Sequence, residues 1–135
     1  MKTGLEIADI FFHHLTNNGL AGAISGGIYQ HQRPLNSRLE DISINTLSTP
    51  NAQVQETVVN VNIHVPNLSV AVNNTQSANQ PDHVRLQVLT DLALACLTDV
   101  MFPEYYFDWQ QQNLIVGEGD ESYINIRVDF ISFNI

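Results

Sequence analysis

The sequence predicts an α+β fold, one antiparallel sheet of four to five strands with two main helices packed on one face, in the order α-β-β-(β)-α-β-β. Three observations lead there. Apolar residues recur at helical spacing in two separate stretches, Leu5, Ala8, Phe11, Phe12 and Leu15 near the start and Leu86, Leu89, Ala93, Cys96, Leu97 and Val100 further on. Between them Val59, Val61, Ile63 and Val65 alternate strictly with Asn60, Asn62 and His64, the period-two pattern of a strand with one buried face. After the second helical stretch, two strand-like runs at 106–116 and 123–134 flank the turn-forming residues "GEGD", which predicts a hairpin.

The elements follow in order. Thr3 and Glu6 have the spacing of a capping box, so the first helix is expected over 4–16, ended by Asn17-Asn18-Gly19. Residues 19–27 read as a glycine-rich turn with a short helical piece around 20–24, and Gly26-Gly27 as a turn. Ile28-Tyr29 opens a strand end or edge, because Pro34 lacks the N–H that a central ladder needs. In "PLNSRLEDISINTLS", Leu39, Ile42, Ile44 and Leu47 carry the apolar positions, and the second half alternates as a strand that Thr49-Pro50-Asn51 turns back toward the next one. Residues 66–81 shift to Asn, Ser, Gln, Ala and Pro, with Leu68, Val70 and Val72 as the only apolar alternation, and are read as a long loop. Asp82 is the expected N-cap of a second helix over 83–100, apolar all round between Leu92 and Leu97 and therefore expected to be covered on more than one side.

Composition narrows the function. A chain of 135 residues fits a single domain spanning 1–135, and 44% hydrophobic against 14% charged residues argues for a packed core. Five Lys plus Arg stand against 14 Asp plus Glu, a net charge of -9 that repels nucleic-acid phosphates. No apolar run has the roughly 20 residues that cross a bilayer. The single cysteine, Cys96, has no internal partner, and without a leader at the start, synthesis in a reducing cytoplasm is expected. On that ground the glycosylation patterns at Asn67 and Asn73 are read as loop composition only.

Residues that could carry chemistry have simpler readings. His13 and His14 are helix neighbours pointing about 100° apart, and His31, His64 and His83 lack metal-ligand spacing, so no metal is expected. Cys96 sits in the most apolar turn of its helix, where a thiol packs as a small hydrophobe. Glu118, Asp120 and Glu121 lack the spacing of a calcium loop and read as a solvated turn. Glu104 and Asp108 lie among Tyr105, Tyr106, Phe107 and Trp109, as an interface or core edge would. With no phosphate loop, dinucleotide fingerprint or nucleophile elbow, neither catalysis nor a cofactor is expected. The alternative in the enzyme class is a small α+β enzyme using His64 or Glu104.

Polar, uncharged residues on the non-core face of 58–65, a single lysine in the whole chain, and the apolar second helix favour protein partners and a symmetric oligomer. The order of elements, with "GIYQHQRPLNSRLEDISINTLS", "VNVNIHVPN" and "RLQVLTDLALACLTDV", resembles the tail-terminator or tail-completion neck proteins of tailed bacteriophages, in versions similar to those of phages of Bacteroides-type hosts. The resemblance covers nearly the whole chain as an element order. It implies a structural virion protein, not an enzyme, made in the host bacterial cytoplasm. Its subunits would form a hexameric ring that caps the tail tube and joins it to the head connector, with DNA passing through unbound.

On that resemblance, the loop around 67–81 and the turn at 117–121 would reach neighbouring rings, and Arg33, Arg38 and Arg127 would pair with acidic residues across subunits. The full set of expected interface residues is Arg33, Arg38, Leu39, Ile42, Asn60, Asn62, His64, Leu68, Val70, Val72, Glu118, Asp120 and Arg127. The stretch 34–48 would be an edge strand completed by another subunit. A head-completion adaptor or stopper is the alternative within the structural class.

Overall fold

A computed structural model describes residues 1–72, 75–117 and 120–134. Its elements are α1 (Gly4–Asn17), α2 (Leu20–Ala23), β1 (Ile28–Gln30), β2 (Asp41–Thr46), β3 (Val54–Pro66), β4 (Leu68–Val72), β5 (Thr75–Gln80), α3 (His83–Leu97), β6 (Val100–Met101), β7 (Tyr105–Val116) and β8 (Glu121–Phe133). The architecture corrects the expected fold class. It is a mixed α/β fold in which one curled sheet of six strands, ordered β1-β2-β3-β8-β7-β6, forms a half-barrel with three helices.

The extra strands come from short segments whose composition hides them. β1 pairs parallel with β2, Ile28 opposite Ile42 and Gln30 opposite Ile44, so the connection over 31–40 is a crossover and Pro34 lies in it, where no ladder is interrupted. The stretch 34–48 is therefore not an edge: its strand, β2, lies inside the sheet between β1 and β3. The segment expected as a long loop over 66–81 instead holds the antiparallel β4–β5 hairpin. Its Asn, Ser and Gln have low strand propensity, and pairing with each other supplies the hydrogen bonds that propensity does not announce.

The centre of the sheet is the thirteen-residue antiparallel pairing of β3 with β8, from Val54 opposite Phe133 to Pro66 opposite Glu121. Alternation places Val59, Val61, Ile63 and Val65 on one face with Ile124, Ile126, Val128 and Phe130, all buried. Ile42, Ile44 and Phe107 extend that face on the flanking strands. Both long helices pack on it, α1 through Ile7, Ala8, Phe11 and Leu15, α3 through Leu86, Leu89, Ala93 and Leu97. Phe11 sits in the aromatic centre, 4.6 Å from the Phe107 ring and 5.9 Å from the Phe130 ring.

Local signals at the helix ends hold with adjustments. Thr3 Oγ1 accepts the Glu6 N–H at 3.1 Å and caps α1, while Asp82 Oδ1 accepts the Arg85 N–H at 3.2 Å and caps α3. The buried stripe of α1 uses Ile7, and Leu5 is exposed. Helix α3 stops at Leu97 because Asp99 takes a left-handed φ of 49°, freeing Val100 and Met101 to pair with Phe107 and Tyr106. Within 92–97, expected to be covered on more than one side, Ala93 and Leu97 are buried but Leu92 is exposed, and Val88 and Val84, one and two turns before it on α3, are exposed with it. No helix among the described residues is long and apolar enough to cross a membrane.

Phe11→Ala removes the ring at the centre of the core and is expected to cost about 3–5 kcal/mol, whereas Leu35→Ala at an exposed position should stay within about 0.5 kcal/mol. Urea unfolding midpoints of the two variants check this.

Candidate assembly surface

The outer face of the sheet, opposite the helices, divides into a closed end and an open border. At the closed end the 31–40 crossover folds over β2 and β3. Arg33, with only 13% of its side chain exposed, bonds the Glu121 carboxylate through Nη1, lies 3.1 Å from Asp41 Oδ2 through Nη2, and donates to the Ser37 carbonyl at 2.9 Å. Asp41 is almost fully buried and also accepts from the Ser37 hydroxyl and the Gly27 N–H. A Cβ on Gly26 would collide with the Asp41 carboxylate and the Glu40 carbonyl, so glycine at this position is a packing requirement as well as a turn residue.

His64 completes the cluster. It is 9% exposed, its Nε2 shares a 3.0 Å hydrogen bond with Ser43 Oγ, its Nδ1 is 3.5 Å from Glu121 Oε1, and its ring packs at 5.1 Å on Tyr123. Burial first, and the nearby Arg33 charge second, lower its pKa below the usual 6.5, against the opposing pull of Glu121 and Asp41. The imidazole is therefore held neutral near pH 7. Arg85, elsewhere, forks onto Glu40 at 2.7 and 2.8 Å and donates to the Ala23 carbonyl at 2.9 Å, tying the start of α3 to the end of α2. The hydrogen bonds from Arg85 hold the Glu40 carboxyl below its ordinary range.

A cavity of about 640 Å³ opens between the 31–40 crossover, the junction of β3 with β4 and the β7–β8 turn, lined among others by Arg33, Leu35, Asn67 and Asp120. The two cations named in its lining, Arg33 and Arg38, are already paired with carboxylates, Arg33 with Asp41 and Glu121 and Arg38 with Asp120, so neither is offered uncompensated to an anionic ligand. Among the described residues no group of three or more His, Cys, Asp or Glu side chains is placed to hold a metal ion. His64 and Glu104 do not meet: Glu104 lies at the opposite end of the sheet, beside Phe133 and 3.7 Å from Lys2. Cys96 donates to the Ala93 carbonyl at 3.2 Å, and burial pushes its thiol up to about 11, which keeps it protonated and unreactive near pH 7.

The middle of the outer face is a row of amides. Asn125 Nδ2 donates to Asn62 Oδ1 at 2.7 Å and Asn60 Oδ1 at 3.2 Å, with Asn113 opposite Asn125 on β7. Exposed Arg127 stands between Asn60 and Gln111. The row runs out to β7, where the open border begins. β6 covers only Tyr106 and Phe107, so from Trp109 onward β7 is the last strand of the sheet. Gly117 N–H bonds the Glu121 carbonyl at 3.3 Å, so by antiparallel alternation Ile115, Asn113 and Gln111 bond β8, while the N–H and C=O groups of Gln112, Leu114 and Val116 point away from the sheet. No charged side chain stands on 109–117, "WQQQNLIVG".

The expected interface residues thus separate. Arg33 and Arg38 find carboxylates inside the chain, Arg38 at 3.0 Å from Asp120 in an exposed pair. Ile42 is 0% exposed and belongs to the core, because alternation in β2 turns it toward the helices, so it is corrected out of any subunit contact. His64 is covered by the crossover, Asn60 and Asn62 are half-buried in the amide row, and Leu39, Leu68, Asp120 and Arg127 are exposed. Val70 and Val72 lie on β4, with side chains outside what is described, and Glu118 lies outside the described residues. Sequence reasoning missed Asp41, the partner of Arg33, and it missed Glu40 and Arg85, whose pairing across 45 positions leaves no local signal. It also missed the β7 border, for which the uncharged run "QQQN" was the available sign. No family model matches the chain and no curated protein matches it, so the residues and their geometry carry the functional argument.

His64 stabilises the fold in its neutral form. With a folded pKa below the unfolded 6.5, its contribution is complete above about pH 6.5 and is lost as pH falls toward the lowered value, where the unfolded chain binds a proton that the folded chain refuses. Between pH 7.5 and 5, wild type should lose more stability than His64→Gln, read as the shift in urea midpoint of each.

Proposed function

We propose that this chain is a structural subunit that works by self-assembly, a ring-forming protein of a tailed-bacteriophage neck at the tail-terminator position. The observation that carries the reading is the open β7 border. A free strand edge is ordinarily blunted by lysine, other charges, proline or a bulge along its length, because outward N–H and C=O groups invite another strand. Here 110–116 carries none of the charges or proline, and the one bulge lies at the start of the exposed run, between Trp109 and Gln111.

Two further features support it. Val84, Val88 and Leu92 form an exposed apolar ridge on α3, the kind of surface that association covers. Buried or exposed, most of the cations already pair within the chain, Lys2, Arg33, Arg38 and Arg85 each with a carboxylate, so the net charge of -9 remains as a diffuse acidic field. Around a central channel such a field lets duplex DNA slide without sticking, because like charge repels phosphates. Under this reading the partners are further copies in a ring of six, the tail tube protein and the head connector, and the site of action is the virion.

Electron microscopy and mass photometry of the purified protein test this. Closed rings of six are expected at micromolar concentration. A particle that stays monomeric across the accessible concentration range, its 110–116 amides protected from hydrogen exchange, would overturn the assembly reading.

A further inference from the structure

The molecule contains two unfinished pieces of β-structure, and each supplies what the other lacks. β4 and β5 form a sheet of their own: no described strand of the six-stranded sheet pairs with either. A two-stranded hairpin standing alone in water is marginal at best, so a third strand would stabilise it. The β7 border, in turn, offers the outward N–H and C=O groups of Gln112, Leu114 and Val116, with which no described strand of the single chain pairs. We infer that the β4–β5 hairpin of one copy adds to the 110–116 border of β7 in a second copy, β4 lying alongside β7.

The occupant is a second copy for three reasons. The hairpin's root is anchored away from its own β7: Asn67 N–H donates to the Asp120 carbonyl at 2.6 Å, and Ser122 Oγ donates to Asn67 Oδ1 at 2.7 Å. This holds the hairpin where β3 ends beside β8, with β8 standing between it and β7. Secondly, both surfaces lack charge. Residues 67–80 contain no Asp, Glu, Lys or Arg, and neither do 109–117, so two chains of net charge -9 can approach through these segments without setting acidic side chains against each other.

The third reason is stoichiometry. Pairing β7 with β7 of another copy would close a twofold dimer and leave both hairpins unsupported, whereas hairpin-to-border pairing uses one donor and one acceptor surface per copy. That contact is head-to-tail, and it repeats until it closes a ring or extends a filament. β4 is the paired strand because its Leu68, Val70 and Val72 alternate and include β-branched residues, while β5 reads "TQSANQ". Main-chain bonds supply the affinity in this mode of recognition. The inference rests on the assembly reading above and specifies the two segments that meet.

Cross-linking tests it in a Cys96→Ser background, with Ala71→Cys in one preparation and Gln112→Cys in another. A short bismaleimide is expected to join the mixed preparations into covalent dimers, and a chain carrying both cysteines into a ladder of higher species, while neither single variant alone is joined. Gln112→Pro removes one outward N–H without touching the β7–β8 ladder, and is expected to weaken self-association by about tenfold or more while the thermal midpoint and far-ultraviolet spectrum of the single chain hold. Rings that form without the mixed cross-link would overturn the inference and leave the assembly reading standing. Cross-linking of the Gln112→Cys preparation with itself, or only within one chain of the double variant, would also overturn it. Monomers under every condition would overturn both.

Discussion

The rest of the structure depends on the thirteen-residue pairing of β3 with β8. Because side chains alternate across a strand, two long partners in fixed register define two complete faces at once. One becomes the floor of the core, where Val59, Val61, Ile63, Ile124, Ile126 and Val128 meet the helices. The other becomes the amide row around Asn60, Asn62 and Asn125. A slip of one residue would exchange the faces, burying amides under α1 and α3 and exposing the valines. The core therefore holds the register, and the register places every feature of the outer face.

The two ends of that outer face solve the same problem differently. At one end the crossover brings Arg33 over Asp41, Glu121 and His64, and a set of groups that would be costly to bury singly is buried together with partners. At the other end, beyond the two residues that β6 covers, no described strand pairs with the outer side of β7. Most of the cations are satisfied by carboxylates inside the chain, whereas outward backbone groups of β7 meet no described strand, so what this surface presents is main chain and apolar side chain more than charge. The exposed ridge of Val84, Val88 and Leu92 on α3 is of the same character.

The sequence made the long, regular elements legible. Caps at Thr3 and Asp82 sit where local hydrogen bonding places them, and the alternation of Val59, Val61, Ile63 and Val65 marks a buried face without reference to any neighbour. The short elements were not legible. β1 and β6 have three and two residues, too few to show a period, and they exist because a long strand beside each offers a ladder. The β4–β5 hairpin was hidden by polar residues that suit a loop equally well. Arg33 and Arg38 were visible as cations, but the chain's own carboxylates at Asp41, Glu121 and Asp120 become their partners only after the crossover closes.

By itself, then, the sequence determined which residues are apolar, where helices begin and which strands have one buried side, since these follow from interactions within a few positions along the chain. Tertiary structure alone decided that β2 is interior, that Ile42 belongs to the core, and that the sheet's open border falls on β7. Those outcomes depend on which strand lies next to which. Strand order is set by how the whole chain buries its apolar faces together, and no local stretch contains that information.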